Sequence, residues 1–74
     1  MDFDKILEVL KKNYPLGLIL RKDIEKATGG LLRCSTLAVR DSEGNGINNR
    51  VYIGKNPAYK IEDVVEYLKK KVRD

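Results

Sequence analysis

The side chains able to do chemistry are few, and their types point away from catalysis. The chain has 74 residues, no histidine and one cysteine, Cys34. Cys/His zinc sites, an intramolecular disulfide and every histidine-based dyad or triad are therefore excluded. No acid–base or nucleophile pair has a recognisable spacing, so neither an enzyme nor a cofactor is expected. The remaining chemistry is non-covalent and concentrates mid-chain. Residues 33–60 carry Arg33, Arg40, Arg50, Lys55 and Lys60 against Asp41 and Glu43, a net of +3 within an overall +4. Ser35, Thr36, Asn48 and Asn49 lie among these cations. Arginine and lysine neutralise phosphates, while hydroxyls and amides bond to phosphates or base edges. A basic excess of this size suits an anionic partner and also serves plain solubility.

These groups need elements to hold them. Asp2 or Asp4 can cap a first helix to about Asn13, with Phe3, Ile6, Leu7, Leu10 and Tyr14 as its apolar stripe. Tyr14-Pro15 ends it. Leu16 to Leu20 reads as a buried, extended link. A short helix over 21–28 turns Ile24 and Ala27 inward and stops at Gly29-Gly30. Leu31 and Leu32 then carry the chain inward. A helix over 34–42 follows, anchored by Leu37 and ended by Gly44-Asn45-Gly46.

The period then changes. Arg50-Val51-Tyr52-Ile53 alternates as a strand, placing Val51 and Ile53 on one face. Gly54-Lys55-Asn56 turns, and Pro57 to Lys60 returns, with Pro57 suited to an edge. Ile61, Val64, Val65, Leu68 and Val72 line a final helix over 61–72, flanked by Tyr67. The acidic opening of the chain and the lack of a run of about 20 apolar residues predict a cytoplasmic protein without a membrane span. A single domain is expected, mainly α with a small β-hairpin.

Two short helices across a glycine turn, followed by a hairpin, have the layout of a winged helix-turn-helix: 21–43 as the helix pair, 50–60 as the wing. With Ile24 and Ala27, Thr28-Gly29-Gly30, Thr36-Leu37, Asp41 to Gly46, Arg50 to Lys55, Ala58-Tyr59, Asp63-Val64 and Tyr67-Leu68 in this order, the chain resembles a known group. It is similar to the small excisionase-like and AlpA-like DNA-binding proteins, related to the DNA-binding domain of MerR regulators. The resemblance spans about Leu18 to Leu68 and implies sequence-specific binding of double-stranded DNA, in transcription control or phage-type excision. The chain departs from it with Arg33 where Ser or Thr usually opens the recognition helix, Arg40 where an apolar residue is usual, and Tyr52 where a cation is common.

On that reading Arg21, Lys22, Arg33 and Lys55 meet phosphates. Ser35, Thr36, Val39 and Arg40 face bases, and Asn48, Asn49 and Arg50 contact the duplex from the loop and wing. Each has a plainer role. Ser35 and Thr36 can cap a helix, Val39 can make a minor packing contact, the Arg40 stem can cover the core, and Asn48-Asn49 can simply turn. Cations opening two helices, Arg21-Lys22 and Arg33, are locally unfavourable unless an anion binds there. The thiol of Cys34 lies near a helix start, where a small residue fits. Lys69-Lys70-Lys71 and Arg73 suit a helix C-terminus. The rival expectation from another class is a protein-interaction module working beside a recombinase or polymerase subunit. A weak homodimer on DNA is a further possibility.

Overall fold

The computed structural model describes residues 2–71. The apolar stripe of the first segment forms helix α1, Phe3–Asn13, and Asp2 is its cap, its carboxylate accepting the Lys5 N–H at 3.1 Å. Strand β1 is only Leu18–Leu20, with Ile19 buried at its centre. A 3-10 turn, Arg21–Asp23, leads into the single α-turn of α2, Ile24–Ala27. Helix α3 is Cys34–Ser42, strands β2 and β3 are Val51–Ile53 and Asn56–Lys60, and α4 is Ile61–Lys71. The result is four helices around a three-stranded antiparallel sheet of order β1-β3-β2.

Leu10, Ile19, Ile24, Leu37, Ile61 and Leu68 form the centre of the core, where α1 packs on α4 and α4 follows directly from β3. Acids in the first turn of α4 and lysines in its last complement the helix dipole. Lys69 pairs with Glu66 at 3.4 Å, and Lys71 lies over the Tyr67 ring. Val72 and Arg73 lie outside the described residues.

Several expectations are corrected. The link 16–20 is not uniformly buried: Leu16 is 90% exposed and only three residues form the strand. The helix over 21–28 resolves into the 3-10 turn and the four-residue α2, too short for an appreciable dipole. Leu32 turns inward but Leu31 is exposed. Ile53 is half-exposed, because the hairpin tip has no layer opposite it.

Pro57 lies on the central strand rather than an edge. Tyr52 opposes it on β2, and the register with β1 ends at Ala58. In an antiparallel ladder hydrogen-bonded pairs alternate with non-bonded ones. Counted from the tight pair Ile53–Asn56, Pro57 falls on a non-bonded position and its nitrogen faces the side that β1 has already left.

The two turns that set the geometry depend on glycine. Gly29 and Gly30 have φ of +63° and +90°, and the Gly30 N–H closes back onto the Glu25 carbonyl at 2.8 Å. The Thr28 hydroxyl donates to the Ile24 carbonyl at 2.7 Å and accepts the Leu32 N–H at 3.1 Å, fixing the passage into α3. Gly54, at φ +65°, takes the first place of the two-residue loop between β2 and β3, as a type II′ turn favours.

Candidate nucleic-acid interface

Helix α3 has two distinct faces. Leu37 and Asp41, one turn apart, are buried, and Cys34 and Ala38 flank them half-buried. The opposite face carries Ser35, Thr36 and Val39, all exposed, with Val39 at 60%. No side chain caps the start of α3. Arg33 occupies the cap position, where its guanidinium is exposed and the first N–H groups of the helix lie nearby. Arg40 is half-buried.

What holds α3 in place is a group the sequence reading passed over. Asp41 lies beneath the helix with its side chain only 2% exposed. Its Oδ2 accepts the Tyr59 hydroxyl of β3 at 2.5 Å and Arg21 Nη2 at 2.8 Å, while Arg21 Nε donates to the Tyr59 oxygen at 2.9 Å. One carboxylate thus joins α3, the 3-10 turn and the central strand. A buried charge is tolerated when paired and hydrogen-bonded, and Oδ2 meets both conditions here. The hydrogen bond to Tyr59 raises the Arg21 pKa above its ordinary value, with desolvation opposing and Asp41 adding to the rise. Burial pushes the Tyr59 phenol up to about 12, with Asp41 reinforcing the shift and Arg21 opposing it.

The loop after α3 closes on the same carboxylate. A Cβ at Gly46 would overlap Asp41 Oδ1 and stand 2.8 Å from its Cγ, so only glycine fits there. Ile47 then enters the core, an anchor that its surroundings of Gly and Asn concealed. Asn48, Asn49 and Arg50 follow, all exposed as residues, with Asn49 at φ 58°, a left-handed conformation that asparagine tolerates well. With Tyr52 and the loop backbone they line a polar hollow of about 300 Å³ beside Asp41.

Among the described residues, Lys22, Arg33, Arg40 and Lys55 make no ion pair, and Lys22, Arg33 and Lys55 are fully on the surface. Arg21 differs from them: its guanidinium is committed to Asp41 and Tyr59, so it braces the fold from within. Asp41 and Tyr59 are the residues sequence reasoning missed. The available signal was the four-residue step from Leu37 to Asp41, which puts the acid on the buried face of its helix.

Elsewhere, Ile6, Val9, Leu10, Ala27, Leu31 and Leu68 line an apolar cleft of about 390 Å³ between α1 and the end of α2. Among the described residues no helix is long and apolar enough to cross a membrane. No family model, curated protein or solved structure matches the chain.

Proposed function

We propose that the chain is a winged helix-turn-helix protein that binds double-stranded DNA, with α2 and α3 as the helix pair, α3 as the recognition helix and the β2–β3 hairpin as the wing. The observation that carries this reading is the outward face of α3. Ser35, Thr36 and Val39 do nothing for the core, yet the helix bearing them is clamped from below by the ion pair of buried Asp41 with part-buried Arg21. Rigid support under an exposed face of small polar and methyl-bearing side chains suits the reading of base edges. Hydroxyls bond to bases or phosphates, and a valine methyl packs on a thymine methyl.

Lys22, Arg33 and Lys55 supply phosphate contacts, and the uncapped start of α3 favours an anion beside Arg33. Arg40 and Arg50 reach the backbone or a groove edge. Asn48 and Asn49 shape the loop and add polar contacts. Such a protein serves as a small transcription regulator or a phage-type excision factor, alone or as a weak dimer on its site, in the cytoplasm.

A titration of isotopically labelled protein with a short mixed-sequence duplex, at low and then moderate salt, tests the reading. Amide shifts should concentrate at 21–23, 33–43 and 48–56. Three neutralised phosphates, at Lys22, Arg33 and Lys55, give a log affinity against log salt slope of about −2.7. Unmoved amides at saturating duplex and low salt would remove the DNA reading. The apolar cleft between α1 and α2 favours the second reading, docking onto a protein such as a recombinase or polymerase subunit. In that case Val9 and Leu31 matter, and charge reversal at Lys55 does not.

A further inference from the structure

The two oxygens of Asp41 are used unequally. Oδ2 takes both the Tyr59 hydroxyl and Arg21, whereas Oδ1 is buried without any hydrogen bond. The charge facing Oδ1 is Arg50, its Nη1 at 3.5 Å, and the backbone of Gly46 covers the other side. Arg50 immediately precedes β2, so it stands at the root of the hairpin. Its side chain is 31% exposed and makes no hydrogen bond among the described residues, which leaves its donors available to a ligand.

We infer that Asp41 is a positioning residue of the DNA-binding surface, holding Arg50 by charge so that the hairpin root keeps a fixed place beside α3 while the guanidinium donors remain free for a backbone phosphate. This rests on the DNA reading above. An alternative is a latch, in which Arg50 leaves Asp41 for the phosphate. Departure would leave Oδ1, which already lacks a hydrogen bond, without the Arg50 charge beside it, and burial makes the loss of that charge unfavourable. The arginine therefore stays beside Asp41 and bridges it to the ligand.

The consequence for recognition is geometric. Helix and wing meet a duplex in a set relative position only if something ties them. The hairpin root is tied to α3 through Asp41, which sits on α3 itself and also bonds the central strand through Tyr59. Lys55, at the hairpin tip, is exposed and makes no ion pair among the described residues.

Two measurements decide the matter, the first without any DNA. Side-chain nitrogen relaxation should show the Arg50 Nε–H as ordered as that of Arg21, and the exposed Arg33 as mobile. Asp41→Asn keeps an acceptor for Tyr59 and Arg21 but removes the charge, so Arg50 should become as mobile as Arg33 while Arg21 stays ordered. An Arg50 as mobile as Arg33 in the unaltered protein overturns the inference, as does one equally ordered in Asp41→Asn. If that variant does not fold, the comparison within the unaltered protein decides alone.

The second measurement is duplex affinity at two salt concentrations. Arg50→Ala should weaken binding about tenfold and flatten the salt slope by about one. Asp41→Asn should weaken the unaltered protein but add nothing in the Arg50→Ala background, and independent effects would refute the coupling. No binding by the unaltered protein removes the DNA reading and the phosphate with it, whereas the relaxation result stands or falls separately.

Discussion

Gly46→Ala should be among the most damaging single-methyl additions this chain can receive. Gly46 does not have a positive φ, so its backbone accepts alanine, and reduced freedom of the unfolded chain would by itself stabilise the variant by about 0.4–1 kcal/mol. The new methyl, however, needs the space that Asp41 Oδ1 occupies. The carboxylate cannot rotate away without loosening Oδ2 from Tyr59 and Arg21. Bonds to a charged group are worth about 1.5–3 kcal/mol each. If the loop moves instead, Ile47 leaves the core. Either route costs about 3 kcal/mol, a large share of the 5–15 kcal/mol typical of a domain. Urea unfolding followed by far-UV circular dichroism gives the number, and sulfate in the buffer keeps weak variants folded. In an Asp41→Ala background Oδ1 and Cγ are gone and only the tight contact with the Cα of residue 41, at 3.0 Å, remains, so the same methyl should cost only about 1 kcal/mol. The reasoning fails if the two substitutions add to within about 0.5 kcal/mol, the behaviour of independent sites.

Tyr59 predicts a loss of stability at alkaline pH. Its pKa is raised from 10 to about 12, so the unfolded chain gives up the proton first. The contribution is complete below pH 10 and is lost as pH rises through about 12, and a shift of that size is worth on the order of 2–3 kcal/mol. The stability gap between the unaltered protein and Tyr59→Phe should narrow over that window, and parallel pH curves would contradict the burial argument. Thr28→Val removes a hydroxyl that both donates and accepts between α2 and α3, and should lower urea stability by about 1–2 kcal/mol; a neutral result would mean the turn is held by its backbone alone. Arg33→Glu and Lys55→Glu should each leave stability within about 0.5 kcal/mol, because both side chains are exposed and unpaired among the described residues. Each should reduce duplex affinity and flatten its salt dependence, and unchanged binding would count against the assigned phosphate contacts.

Elements with a local cause could be read from the chain. Asp2, one of two candidate acids, caps α1, Gly29-Gly30 ends α2, and Leu37 anchors a helix over 34–42; the turn expected over Gly54-Lys55-Asn56 closes on Gly54-Lys55 alone, with Asn56 already in β3. Features decided at a distance could not. A three-residue strand such as β1 is too short to show a period, and its identity comes from pairing with β3 some 40 positions later. Pro57 needs a place without a ladder bond, and an edge is the usual one; here that place lies on the central strand, because the neighbouring strand stops at Ala58. Asp41 shows the same limit within the candidate site. An acid at the end of a helix ordinarily faces water, and only Arg21 and Tyr59, 20 and 18 residues away, make burial favourable. The outward residues of α3 were legible because exposure on a helix follows from its period once the buried anchor is known.

The central place of β3 also bears on how the chain reaches this structure. The β2–β3 hairpin closes over two residues and can form early, on the microsecond scale of isolated hairpins. Strand β1 must instead find β3 across a closed loop of about 40 residues, at an entropic cost that grows with the logarithm of loop length. Arg21, Asp41 and Tyr59 come together only when that loop has shut. Refolding should therefore wait on the meeting of two segments remote in the chain. The helix pair enclosed by the loop gains its clamp last and releases it first, so its amides should exchange with solvent before those of β3.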